Sequence, residues 1–258
     1  MISEWFYGFD MPVLCLITII LVEGAAELGN RIGLRQRAAD DRNVDVSTLA
    51  GASLGLLALL IAFSFSTAET RYELRRGMVL EEANAIGSTA NFALMLPQPA
   101  RESILTLLRD YTSVRIGLGV PYDPIKMEKD VARSLDLQAR LWQQAVVVTA
   151  SDPQSLPAYR FVASLNEMNN IHARRLTALR NHVPASVMFI LIGTAIVAMG
   201  LAGYNMGVAG SKRHIINFIV SLTIVLVIML VVDLDRPYRG LILVPADALV
   251  DAAAGIPS

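Results

Sequence analysis

The sequence predicts an all-α membrane protein. Four transmembrane helices in two pairs flank a helical extramembrane domain, and the second helix extends beyond the bilayer. Three observations predict this. Hydrophobic residues make up 54% of the 258-residue chain and charged residues only 17%, against ~25% charged in soluble domains. Three apolar runs stay uncharged over the ~18 residues needed to cross ~30 Å of hydrocarbon. The central segment has an ordinary water-facing charge balance and helical periodicity. The same composition excludes a disordered chain. The single cysteine, Cys15, excludes a disulfide-stapled fold, and the net charge of -1 leaves no general basic surface for nucleic acid.

The N-terminal segment, residues 1–10, carries Trp5, Phe6, Tyr7 and Phe9, side chains that prefer the headgroup layer. It also carries Glu4 and Asp10 and no basic residue, which argues against a signal peptide. Residues 11–29 are apolar apart from Glu23 and Glu27 and are expected to span. Residues 46–68, VSTLAGASLGLLALLIAFSFSTA, form the second span, so the first pair occupies 11–68. Residues 183–211 and 215–232 form the second pair, within 183–232, and 233–258 are a tail. The protein is expected in the cell inner (plasma) membrane as a multi-pass chain.

Orientation is read from Lys and Arg near the spans. Arg31, Arg35, Arg37, Arg42, Lys212 and Arg213 face one side. Arg71, Arg75, Arg76, Arg174, Arg175, Arg180, Arg236 and Arg239 face the other. The first span has no basic residue before it and four after it. Long segments also translocate largely regardless of charge. Both points place the termini and the middle domain outside the cytoplasm.

Residues 69–182 hold 14 basic and 12 acidic residues. Tyr72, Val79, Ala83, Ile86, Ala90 and Ala93 recur on one helical face, with no proline before Pro97. The second span is therefore expected to run on as one rod of roughly 70 Å from about Thr48 to Leu96. Gly77 and Gly87 are its weak points. Pro97 and Pro99 end it. Helices are expected over 101–118 (Ile104, Leu107, Leu108, Tyr111 and Val114 apolar), 126–150 (Val131, Leu135, Leu137, Leu141 and Val146 apolar) and 158–181. Residues 241–244 show the one convincing strand alternation.

The segment LLALLIAFSFSTAETRYELRRGMVLEEANAIGSTA, residues 56–90, resembles a hallmark segment of the bestrophin-like family of bacterial and plastid membrane proteins. DLDRPYRGLILV, residues 233–244, resembles that family's ending after its last helix. The family's kinship with bestrophins, oligomeric anion channels, implies a homo-oligomer whose second helix lines a central pore. It also implies cytoplasmic termini and a cytoplasmic middle domain, opposite to the orientation read from charge.

Candidate functional residues lie in four places. Leu59, Phe63, Ser66, Thr70 and Glu73 form one stripe on the second helix. If it faces a symmetry axis, Phe63 makes a hydrophobic ring and Glu73 a charged ring that argues for cations. Two stripes of small residues, Ser47, Gly51 and Gly55, and Ala58, Ala62 and Ser66, read as helix packing. Glu23 and Glu27 lie one turn apart on the first helix, with Arg31 a turn later. They read as an ion pathway or as a Glu27–Arg31 pair near the interface. Glu81, Glu82 and Asn84 on the extended helix are candidates for a polar interior, against a solvated face. Asp233, Asp235 and Arg236 read as a structural clamp reaching Arg71, Arg75 or Arg76.

His172, His182 and His214 match no metal-ligand spacing, and His172 reads as a surface residue beside Arg174 and Arg175. No nucleophile elbow, phosphate loop or Cys–His pair is present, so the sequence points to no enzyme, cofactor or metal. The expected partners are the lipid bilayer, further copies of the chain and inorganic ions. The first functional reading is an oligomeric ion channel. The alternative is a non-conducting sensor or scaffold acting through the helical domain.

Overall fold

The computed structural model describes residues 9–38, 46–118, 123–211 and 214–257. Trp5, Phe6 and Tyr7 lie outside them. Eight helices are present among the described residues: α1 (Met11–Ala38), α2 (Ser47–Ala93), α3 (Ala100–Ile116), α4 (Pro124–Ser151), α5 (Leu156–Arg180), α6 (Ala185–Ala209), α7 (His214–Leu234) and α8 (Asp247–Ala254). The all-α class and the four spans stand: α1, α2, α6 and α7 are long and apolar enough to cross a membrane. The strand expected over 241–244 does not form. The backbone N–H groups of Leu241 and Ile242 donate to the Asp233 carboxylate instead, at 3.0–3.1 Å, so no neighbouring strand takes them. α8 was not anticipated.

The chain folds as two compact units. The first comprises Met1–Thr70, His182–Arg236 and Gly240–Ile242. Small residues decide its packing. A Cβ on Gly203 would overlap the Ala26 carbonyl, and one on Gly207 would overlap that of Asn30. Gly29 meets the backbone of Gly200 and Tyr204, and Gly33 that of Tyr204 and Val208. Positions rise together along both helices, so α1 and α6 are parallel and in backbone contact. Two spans precede α6, so it must enter the bilayer in the direction of α1. The glycine seam is how that parallel pair is held where lipid gives no hydrophobic drive. Tyr204 on α6 also donates its hydroxyl to Gln36 on α1. α6 ends at Gly210, whose φ of 62° is left-handed; its N–H bonds to the carbonyls of Met206 and Gly207.

In its membrane half, α2 buries Ala50, Leu57, Ser64 and Ala68, which recur at seven- and four-residue steps on one face. A Cβ on Gly51 or Gly55 would meet nothing within 4 Å among the described residues.

The second unit comprises Arg71–Asn181, Pro237–Arg239 and Leu243–Ser258. α2 passes Gly77 and Gly87 without a break, because neither glycine is asked to make a turn. Its expected face is the core face: Val79, Ala83, Ile86, Ala90 and Ala93 are buried. They pack with Ile104, Leu108 and Tyr111 of α3, Leu137 and Leu141 of α4, and Phe161, Leu165 and Met168 of α5. Leu249 of α8 closes the cluster. On α4 the buried face is Ser134, Leu137, Gln138, Leu141, Ala145 and Val148, while Leu135 and Val146 are exposed. α4 and α5 begin as their sequences demand. The Asp123 carboxylate accepts from the N–H of Ile125 and Lys126, with Pro124 following, and the Ser155 hydroxyl accepts from Ala158.

The seam predicts a contrast between glycines. Gly203→Ala places a methyl into the Ala26 backbone and should lower stability in detergent by about 1–3 kcal/mol. Gly24→Ala meets nothing within 4 Å and should be neutral or stabilising through helix propensity. Thermal midpoints of the two variants check this.

Candidate functional site

Leu59, Phe63, Ser66, Thr70 and Glu73 are all exposed on the protomer, Phe63 at 64%. They share one side of α2, opposite the buried Leu57, Ser64 and Ala68. The Thr70 hydroxyl donates to the Ser66 carbonyl at 2.8 Å, and Thr67 to that of Phe63 at 2.9 Å. These hydroxyls therefore need no partner from outside the helix. Glu73 lies 3.7 Å from Arg76, both well exposed. Farther along, Glu81, Asn84, Ser88 and Asn91 remain exposed. The outward face thus runs from apolar side chains to polar and acidic ones.

On α1, Arg31 donates to Glu27 at 2.7 Å, which is the pair expected. Glu23 is half-buried; one of its oxygens is shut off from solvent without a hydrogen-bond partner among the described residues.

Glu81, Glu82 and Asn84 do not act together. Only Glu82 is inside, at 0% exposure. Glu81 lies 3.8 Å from Arg174 at the surface. Glu82 sits at the centre of a buried ion knot. Arg115 of α3 grips its carboxylate by two nitrogens, Nε at 2.7 Å and Nη2 at 3.2 Å. Arg175 of α5 donates from Nη1 to Oε2, the oxygen that Arg115 Nη2 also reaches. The Tyr111 hydroxyl donates to Oε1 at 2.9 Å. His172 Nδ1 lies 3.0 Å from that hydroxyl, and Gln138 Nε2 of α4 donates to it at 3.4 Å. Burial alone would raise the Glu82 carboxyl, but Arg115 and Arg175 overcome it and pull it down to about 2. Burial, reinforced by Arg115, pulls His172 down to about 4. Burial and the neighbouring Glu82 raise Tyr111 far above the ordinary phenol range. The sequence expectation that His172 is a surface residue is therefore corrected: it is 2% exposed.

Asp233, Asp235 and Arg236 gather chain ends of the first unit. The Asp233 carboxylate accepts from the N–H of Leu241 and Ile242. Asp235 Oδ2 accepts from the Val183 N–H at 2.7 Å, just ahead of α6, and lies 3.6 Å from His182 Nδ1. Arg236 donates to the Phe9 carbonyl at 2.8 Å, just ahead of α1. Gly240 has φ 126°, and a Cβ there would strike the Asp233 carboxylate.

A family model described as a bestrophin-like domain matches residues 16–249. The chain belongs to the bestrophin-like family. Solved structures agree on the fold. A bacterial bestrophin homologue from Klebsiella pneumoniae aligns with a TM-score of 0.69 at 13% identity, over 96% of this chain and 97% of that one. A single-substitution variant of the Klebsiella pneumoniae homologue aligns at 0.71 and 13% over 95% and 97%. A further structure, described simply as a membrane protein, aligns at 0.69 and 14% over 95% and 97%. No curated protein matches.

In this bestrophin-like chain, four members of the knot were missed from sequence: Tyr111, Arg115, Gln138 and Arg175. A signal was present. Ile104, Leu108, Tyr111 and Arg115 follow one another at four-, three- and four-residue steps. Leu165, Met168, His172 and Arg175 do so at three, four and three. A charged residue in phase with a buried stripe needs a buried partner of opposite charge.

Two outcomes are expected. Glu82→Gln leaves two buried guanidiniums short of a carboxylate and should cost about 3–5 kcal/mol in chemical denaturation. In the wild-type chain the folded carboxyl titrates below the unfolded one. Its contribution of about 3 kcal/mol is full above pH 4.5 and is lost as pH falls towards 2; an acid titration of stability reads this. Gly240→Ala should displace Asp233 and lower the thermal midpoint, whereas Gly55→Ala, open on its helix, should not.

Proposed function

We propose that the chain assembles into a homo-oligomeric ion channel in which α2 lines the conducting path. The observation that carries this is the outward face of α2: Leu59, Phe63, Ser66, Thr70 and Glu73 form one exposed stripe along an unbroken helix. Around an axis of copies, Phe63 makes an apolar ring that gates by dewetting, and Ser66 and Thr70 follow it with polar surface. Glu73 makes an acidic ring, and no basic residue shares the stripe, so the path favours cations. Family membership supports a membrane channel over a scaffold. Asp233, Asp235 and Arg236 serve as a structural clamp, since they tie the starts of α1 and α6 to the end of α7.

Purified protein in planar bilayers tests this. Ion-selective current is expected, with Phe63→Ala raising conductance several-fold and Glu73→Arg moving the reversal potential towards the anion equilibrium value. A monomer in detergent, or bilayers without selective current that respond to neither substitution, would overturn the reading.

A further inference from the structure

We propose that the outer apolar face of α4 is a subunit interface, seated in the recess between α2 and α8 of a neighbouring copy. The inference rests on the reading that copies of the chain assemble, and it names the surfaces that meet.

The first argument is that α4 is apolar on two sides. Its buried face runs through Leu137, Leu141, Ala145 and Val148. Beside it, Val131, Leu135, Ala139, Trp142, Val146 and Ala150 follow one another at four-, four-, three-, four- and four-residue steps. That spacing keeps them within one helical stripe. No charged residue falls in the stripe from Val131 to Ala150. Leu135 is 51% exposed, Trp142 41% and Val146 58%. A groove of about 360 Å³ beside Trp142 is lined by Val146, Ala150 and, from α5, Val162. Tyr159, one turn before Val162, is 70% exposed. A helix packed on a water-facing domain needs one apolar face. A second, contiguous one marks a surface that something covers.

The second argument is extent, which selects the occupant. The stripe is about 28 Å long at ~1.5 Å per residue and one helix, ~10 Å, wide. It measures roughly 300 Å², and Tyr159 brings the patch to about 400 Å². That is about half of the ~800 Å² that each side of a stable protein interface buries. Such a patch does not hold a free partner by itself. It suffices for a partner held by other contacts as well, and a second copy, fixed in the same bilayer by four spans, is such a partner.

The third argument is the surface that receives the stripe. Closed rings join unlike faces of the protomer. The helical domain holds a recess of about 610 Å³ between α2 and α8, with no residue in common with the α4–α5 groove. Ala83, Gly87, Ala248, Ala252 and Gly255 line it, small residues that leave room for large side chains from outside. A Cβ on Gly87 would meet nothing within 4 Å among the described residues. Packing inside the described protomer therefore does not require this glycine, which weakens a helix interior. Charge matches too. Among the described residues, Asp251 is the one charged side chain lining the recess, Asp247 lies a turn earlier, and α8 has no basic residue. On α4, the exposed Lys129, Arg133 and Arg140 outnumber the exposed Glu128 and Asp136.

The test uses the full chain in detergent on a Cys15→Ser background, because Cys15 is the one cysteine. When chains with Trp142→Cys and chains with Ser88→Cys are co-expressed, a short bismaleimide should join one to the other and neither to itself. In the assembled protein, Trp142→Cys should react several-fold more slowly with a water-soluble maleimide than Arg133→Cys does. Val146→Glu and Gly87→Leu should each weaken assembly about tenfold or more, read by mass. Both should keep the helix content of wild type, since neither position is packed in the protomer. Trp142→Cys chains joined to one another would overturn the proposal, because like faces would then meet. So would an unchanged mass in either variant of an oligomeric wild type. Equal reactivity of Trp142→Cys and Arg133→Cys would also overturn it and leave the stripe to lipid or a foreign protein. These three outcomes leave the pore reading standing. A monomeric wild type overturns both, whereas a cross-linked oligomer without selective current supports the interface and overturns the pore alone.

Discussion

Glu82 lies in the helical domain as a carboxylate fully buried from solvent, and three other helices make that tolerable. α3 brings Arg115 and Tyr111, α5 brings Arg175 and His172, and α4 brings Gln138. A buried ion group of this kind adds little net stability over well-packed apolar side chains. Its effect is to make every alternative packing expensive. If α3 slides by one turn, Arg115 loses its fork on Glu82 and two charges are left buried without partners. Apolar layers such as Ile86, Leu108, Leu141 and Phe161 tolerate small shifts far better, because their attraction has no direction. The knot therefore supplies the register that the apolar core cannot.

The membrane unit obtains its register from shape. Lipid tails are as apolar as leucine, so α1 and α6 gain nothing from burying large side chains against each other. They approach until backbone meets backbone at Ala26 and Gly203 and at Gly29 and Gly200. The threonine hydroxyls Thr18 and Thr194 turn onto the carbonyls of Leu14 and Ile190, each at 2.8 Å, because hydrocarbon offers no other acceptor.

Much of this architecture is legible in the sequence because the bilayer imposes a length. An uncharged run such as 215–232 has few other meanings, and its helix, α7, spans His214–Leu234. The long reach of α2 is legible because Val79, Ala83, Ile86, Ala90 and Ala93 keep one phase. What stays hidden depends on partners distant in the chain. Leu135 and Val146 look like core but sit off the face that α4 buries through Leu137 and Leu141. His172 has Arg174 and Arg175 close by in sequence and reads as wet, yet only Arg174 is exposed. Residues 241–244 alternate like a strand, but a carboxylate eight residues earlier takes the N–H groups a neighbouring strand would need. Of the candidate site residues, the Glu27–Arg31 pair was readable from four-residue spacing alone. Glu81, Glu82 and Asn84 share a stretch of sequence, but Glu82 alone of the three is buried and the other two point to solvent.

That last separation sets how α2 is turned within the helical domain. Glu81 and Glu82 are adjacent, so their side chains leave the helix about 100° apart. One is solvated and the other is gripped by two arginines. Rotating α2 about its axis by one residue would expose the gripped carboxylate and bury the solvated one against those arginines, with every apolar contact out of phase. The knot thus fixes the azimuth of α2 at Glu82.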